Sequence, residues 1–239
     1  MKTFNQELKS ALVAEIRKHR EQDQVIQGTY GTYENGRFRG CAVGCAIHSY
    51  LVAAGKDSIV VGNSEYHEKY ESLFGIPKIL AELQDAIHEG LSDESFPTWP
   101  ERFMEEVPTE TDLLRVWPKF ALWLLHDVLP RAETCEQRGA IGGVVNLLCR
   151  VIVNRVEIPT KDWHSLFNRA HKYSPVNDVS NVAHGVAGTF VYRVDGRVIV
   201  ASLMRSAANA SGLEIKEQFY EKCADRLIEL LKAEGNERI

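Results

Sequence analysis

The run Gly40-Cys-Ala-Val-Gly-Cys-Ala-Ile-His48 sets two thiols and an imidazole at offsets of four and three residues. On a helix turning about 100° per residue, Cys41, Cys45 and His48 fall within about 40° of one another. Thiolate chemistry and metal ligation are therefore both within reach of one helix face. Val43, Ile47, Tyr50 and Ala54 take the opposite side, Ala42, Ala46, Ser49 and Ala53 a third, and no charge occurs between residues 40 and 55. A helix within Arg39 to Ala54 is thus predicted to be buried nearly all round.

Three chemistries compete for that face. In the first, cysteine is a small hydrophobe, and glycine and alanine admit close helix packing. In the second, Cys41 opens a helix just after Arg37 and Arg39, where the helix dipole and positive charge favour thiolate, and acts as the nucleophile of a hydrolase or transferase. By analogy with papain-like hydrolases, a distant histidine then serves as base. His67 is the first choice, ahead of His88, His126, His164, His171 and His184. His48 lies roughly 10 Å from Cys41 along the helix axis and is less suited. In the third, Cys41, Cys45, His48 and His67 hold zinc, although structural zinc motifs usually pair their cysteines on a turn. No other cofactor is indicated, and the third cysteine of an iron–sulfur loop is missing.

Other polar residues read more plainly. Glu82, Asp85 and Glu89 share one side of a helix whose apolar stripe is Leu80, Leu83 and Ile87, which predicts a solvated face. Trp99, Trp117, Phe120 and Trp123 stand at helical spacing among leucines, as core residues do. Val182 to Gly188, with His184, Gly185 and Gly188, reads as a loop and lacks both the P-loop and the dinucleotide-binding patterns.

The elements that must position these groups are mostly helical. Phe4, Leu8, Leu12 and Ile16 mark an amphipathic helix over residues 3 to 22. Gly28 to Gly40 reads as a loop with a short hairpin at Asn35-Gly36. Ile59 to Val61 reads as a short extended segment, and Asn63-Ser64 as the cap of a helix over Glu65 to Leu73. A helix from Pro77 closes at Gly90 in a left-handed turn. Trp99-Pro100 and Trp117-Pro118 mark helix starts, the second with a possible kinked lead-in from Thr111. Residues 134 to 156 form a helix in which Gly139, Gly142 and Gly143 serve close packing. Glu214 to Ala233 closes the chain as an amphipathic helix. Asp195-Gly196, between the β-branched runs 189 to 194 and 197 to 202, signals a hairpin at about 189–202. The fold class is mainly α: one globular domain over 1–239, with a subdivision into 1–130 and 131–239 as the alternative.

The 239 residues carry 28 basic and 33 acidic side chains, a net charge of −5, and five cysteines. The charge gives no global reason to seek nucleic acid or an anionic membrane. The odd cysteine count and a mixed-charge N-terminus favour a reducing cytoplasm. The most apolar stretch, Phe120 to Leu125, falls far short of the roughly 18 residues a membrane span needs.

Gly40 to His48, Tyr70-Glu71 with Phe74-Gly-Ile-Pro77, Glu89-Gly-Leu91, Trp99-Pro100, and Asp112-Leu113 through Trp117-Pro118 to Leu125 together resemble a family of uncharacterised bacterial and phage-borne proteins. The likeness covers roughly residues 30 to 130 and the closing Ala224 to Leu231. In such proteins a long alanine- and serine-rich helix often precedes the closing helix, and Arg205-Ser-Ala-Ala208 matches a remnant of it, whereas Phe190 to Val200 departs from that pattern. The resemblance transfers no activity. It implies an accessory protein of a phage or mobile element that binds a host protein or small molecule, in defence or counter-defence. A cysteine-dependent enzyme and a zinc-stabilised interaction module are the alternatives, and the sequence gives no oligomeric state.

Overall fold

The computed structural model describes residues 4–53, 65–172, 178–192, 196–213 and 216–236. Among them are eleven α-helices and one two-stranded antiparallel hairpin, so the chain is mainly α. It divides into two compact units, Met1–Leu113 with Tyr220–Ile239, and Leu114–Phe219. No helix among the described residues is long and apolar enough to cross a membrane.

In the first unit, α1 (Gln6–Glu21) starts where the Asn5 side chain accepts the Leu8 N–H at 2.9 Å, and it buries Leu12 and Ile16. Strands β1 (Thr32–Glu34) and β2 (Arg37–Arg39) pair Tyr33 with Phe38. Asn35 and Gly36 join them with φ of 52° and 76°, the two positive values that a type I′ hairpin turn requires. Helix α2 (Ala42–Ala53) follows, and α1, α3 (Tyr66–Phe74), α4 (Lys78–His88) and α5 (Trp99–Glu106) all pack on it. Its burial from Ala42 to Ile47 is complete, as its lack of charge predicts. The expected extended segment at Ile59 to Val61 and the cap at Asn63-Ser64 lie outside the described residues.

The left-handed turn expected at Gly90 is found instead at Gly75, which ends α3 with φ 70°. Helix α4 ends on Glu89 with φ −69°. Gly90 is needed for room, since a Cβ there would stand 2.3 Å from the Tyr220 ring. The Trp99 indole, fully buried, donates to the Gln84 carbonyl at 3.0 Å, which keeps its polar edge satisfied inside the core.

The second unit contains α6 (Val116–Val128), α7 (Cys135–Asn154), α8 (Thr160–His171), α9 (Asp178–Val191) and α10 (Gly196–Ala210). No helical lead-in from Thr111 precedes α6, since residues 111 to 113 are irregular. A full capping box opens α7: Thr134 Oγ1 accepts the Gln137 N–H at 3.2 Å, and Gln137 Oε1 accepts the Thr134 N–H at 3.1 Å. Helix α9 takes the central place, packing against α6, α7, α8 and α10. The closing helix α11 (Lys216–Asn236) returns the chain to the first unit.

Two expectations are corrected here. The segment Val182 to Gly188 is the middle of α9, not a loop. The hairpin expected at 189–202 is replaced by the end of α9 and the start of α10, with residues 193 to 195 outside the described set. Tertiary packing outweighs β propensity in this segment. Val200, Leu203, Met204 and Ala207 are buried at helical spacing, and Gly185 brings α10 so near that a Cβ there would lie 3.0 Å from Leu203. The residues of Arg205 to Ala208 lie within α10.

The glycines make contrary predictions. A Cβ on Gly44 of α2 would stand 1.5 Å from the Tyr30 carbonyl oxygen, backbone that cannot move aside cheaply. Gly44→Ala is therefore expected to cost about 3 kcal/mol or more in urea unfolding. Of the three glycines assigned to close packing in α7, Gly143 would meet Leu166 at 2.7 Å and Gly139 would meet Arg169 at 3.0 Å, whereas Gly142 has nothing within 4 Å. Gly142→Ala is expected to raise stability by about 0.5–1 kcal/mol.

Candidate functional site

The first turn of α2 is set by backbone contacts before any side chain acts. The Cys41 N–H donates to the Thr29 carbonyl at 2.8 Å, and the Cys41 carbonyl accepts the Cys45 N–H at 2.9 Å to begin the helix. Cys41 thus stands at the cap position of α2. Its residue is 1% exposed. The segment before it is tied to the end of α4. His88 Nε2 donates to the Ile26 carbonyl at 3.0 Å, Gln27 Nε2 donates to the His88 and Leu91 carbonyls at 2.7 and 3.0 Å, and the Gly28 N–H reaches Glu89 Oε2 at 2.8 Å.

These ties hold α4 so that Glu82 and Asp85 turn inward while Glu89 stays exposed, so the solvated face expected for the three is found at Glu89 alone. Glu82 is 3% exposed, and a carboxylate oxygen of Asp85, one of Glu89 and Cys41 Sγ all lie within 4.8 Å of one another. His67 joins from α3: its Nε2 stands 3.3 Å from Asp85 Oδ2, on a side chain 1% exposed. The contact is misaligned for a hydrogen bond, and Asp85 Oδ1 is likewise buried without a partner. The Tyr30 ring stacks on Tyr66 with centroids 5.0 Å apart and meets His67 edge-on at 5.5 Å.

Electrostatics oppose ionisation of the thiol. Burial first, then the Asp85 charge, push Cys41 well above the ordinary thiol range, and the Gly44 N–H only partly offsets them. Glu89 is held up at about 7 by desolvation, with Asp85 adding to it and the Gly28 N–H opposing. Part of the Glu89 residue remains exposed, so it is the crowding of its carboxylate end that matters.

The structure brings only some of the sequence-selected residues together. Cys41 and His67 meet through Asp85. Cys45 points elsewhere: its Sγ lies 3.3 Å from the Gly40 carbonyl, it packs with Val25 and Phe38, and burial raises its thiol to about 12. His48 stacks on Phe38, centroids 4.2 Å apart and planes 3° apart, and its Nδ1 lies 2.9 Å from His19 Nε2. His19 Nδ1 in turn contacts Gln24 Oε1. Among the described residues, the group with metal-ligating atoms within mutual reach is Cys41, Asp85 and Glu89, not Cys41, Cys45, His48 and His67. Asp85 and Glu89 were legible as an i, i+4 acidic pair, and the periodicity that pointed both to solvent holds for Glu89 and not for Asp85.

A second concave site lies in the other unit. Helices α8, α9 and α10 line a half-open cleft of about 270 Å³ with apolar walls from Phe167, Tyr192 and Leu203 and polar groups from Asn181, His184 and Ser202. His184 Nδ1 donates to the Phe167 carbonyl at 3.2 Å, which fixes the tautomer and leaves Nε2 as an acceptor. Desolvation lowers the His184 pKa, the Phe167 carbonyl opposing and His171 reinforcing, which favours the neutral ring.

No family model, curated protein or solved structure matches this chain, so geometry alone carries the functional reading.

The histidine pair gives a pH prediction. Burial, then the neighbouring His19, lower His48 to about 4, against about 6.5 in an unfolded chain. The unfolded state therefore takes up more protons between these values. Stability contributed by the neutral ring is complete above about pH 6.5 and is lost as pH falls toward 4. His48→Phe, which retains the stack on Phe38, is expected to flatten the fall of urea midpoint across that window.

Proposed function

We propose that this chain is a binding protein that takes a small planar heteroaromatic molecule into the Leu114–Phe219 unit. The observation that carries this reading is the cavity between α8, α9 and α10. Its volume of about 270 Å³ equals about nine water molecules at 30 Å³ each, enough for a single fused ring system. The Phe167 and Tyr192 rings meet edge-on at 5.3 Å and offer an aromatic corner. The neutral His184 presents an acceptor, which suits a ligand with an N–H at its edge. Asn181 and Ser202 add the few polar groups that orient a ligand in a largely apolar pocket.

In the setting that the sequence resemblance implies, a phage-borne or bacterial accessory protein would use such a pocket to sense or sequester a host metabolite. The hydrolase alternative has less support. Cys41 Sγ has the Asp85 and Glu89 carboxylates within 4.8 Å, and its burial and raised pKa both work against attack on a substrate.

Ligand-observed NMR with indole, benzimidazole and adenine as probes tests the proposal. Saturable binding of at least one is expected. It should be abolished by Ser202→Trp, which fills the cavity from an exposed position, and weakened about tenfold by His184→Phe, a change equal to about 1.4 kcal/mol. Absence of binding by all three, or binding unchanged in Ser202→Trp, would overturn it.

A further inference from the structure

We infer that Cys41, Asp85 and Glu89 form a binding site for a divalent cation of the zinc type, with His67 orienting Asp85. Three kinds of observation converge on it. The donors come from two elements already fixed against each other: Cys41 caps α2, while Asp85 and Glu89 stand one turn apart on α4. Their ligating atoms lie within 4.8 Å of one another. In a tetrahedral site with metal–ligand distances of about 2.0–2.3 Å the donors lie roughly 3.5 Å apart, so side-chain rotation alone closes the remaining gap.

The second observation is independent of the cluster. His67 is 1% exposed, and its Nε2 is aimed at Asp85 from 3.3 Å without forming a hydrogen bond. Asp85 Oδ1 is also buried without a partner. Unmet buried polar atoms are costly, at about 1–3 kcal/mol each. A cation on Asp85 removes one such deficit directly. Ligating carboxylates are themselves hydrogen-bonded as a rule, and His67 stands where it could supply that bond to Asp85.

The third observation is a path to solvent. Exposure rises from Cys41 at 1% through Asp85 at 15% to the exposed Glu89, which gives a hydrated ion a way in. On binding, the Cys41 thiol proton leaves to solvent and sulfur takes the metal in its place. The single soft sulfur beside two carboxylates selects zinc or cobalt(II) over magnesium or calcium, whose sites are built of oxygen.

Titration of the metal-free full-length chain with cobalt(II) tests the inference. A near-ultraviolet sulfur-to-cobalt charge-transfer band is expected at one equivalent and should be displaced by zinc. It should persist in Cys45→Ser and vanish in Cys41→Ser. His67→Gln should weaken cobalt affinity about 10–100-fold, the usual effect of losing an outer partner. If Cys41→Ser fails to fold, Glu89→Gln at the exposed end decides: a tenfold or greater loss of affinity supports the site, and unchanged affinity overturns it. Absence of the band, or a band that survives in folded Cys41→Ser, also overturns it.

Discussion

Everything in the first unit depends on the approach of one backbone carbonyl to one helix. The Tyr30 oxygen lies where side chains on Gly40 and Gly44 would stand, at 2.4 and 1.5 Å from their absent Cβ atoms. That closeness lets the Thr29 carbonyl take the Cys41 N–H and brings residues 26 to 28 onto the end of α4. With α4 held on one side by this strap and on the other by the core, Glu82 and Asp85 are turned away from water, and Glu89 at its end stays exposed. The buried cluster around Cys41 is thus a consequence of backbone packing. Its composition matters because unmet polar groups in such a setting cost about as much as a cap or a core methyl contributes.

The two units solve the same packing problem with different results. Each places its most charge-free helix centrally, α2 in one and α9 in the other, and each uses glycines to draw neighbours close. In the first unit α3 and α4 bury mostly apolar side chains, with His67, Glu82 and Gln84 among them, and the thiol of Cys41 is left shielded. In the second, aromatic and histidine side chains of α8 and α9 do not fill the space, and a cavity remains. One unit therefore offers donors for an ion and the other a shaped void for a molecule.

Much of this was legible in the sequence. The charge-free run after Gly40 predicted a buried helix, Asn35-Gly36 a hairpin, Trp99-Pro100 and Trp117-Pro118 helix starts, and the tryptophans a core. Those signals are local, and the structure follows them. Facing direction and long-range packing were not legible. The solvated face read for Glu82, Asp85 and Glu89 holds for Glu89 alone, because helical periodicity cannot show that α4 is covered along Glu82 and Asp85. The β-branched residues about Asp195-Gly196 signalled strands, and burial of Val200 and Leu203 against α9 decided otherwise. Cys45 and His48 share the predicted helix with Cys41, yet the partners that draw them away, Gly40, Phe38 and His19, lie on other segments.

The central claim is that Cys41 is a shielded thiol held beside carboxylates, not an exposed nucleophile. Time-resolved alkylation of the native, metal-free chain with iodoacetamide at neutral pH, read by peptide mass spectrometry, tests it most directly. Cys135, which is exposed, should be modified first, and Cys41 should react only after unfolding in urea. Modification of Cys41 in the folded chain at or above the rate of Cys135 would contradict the account.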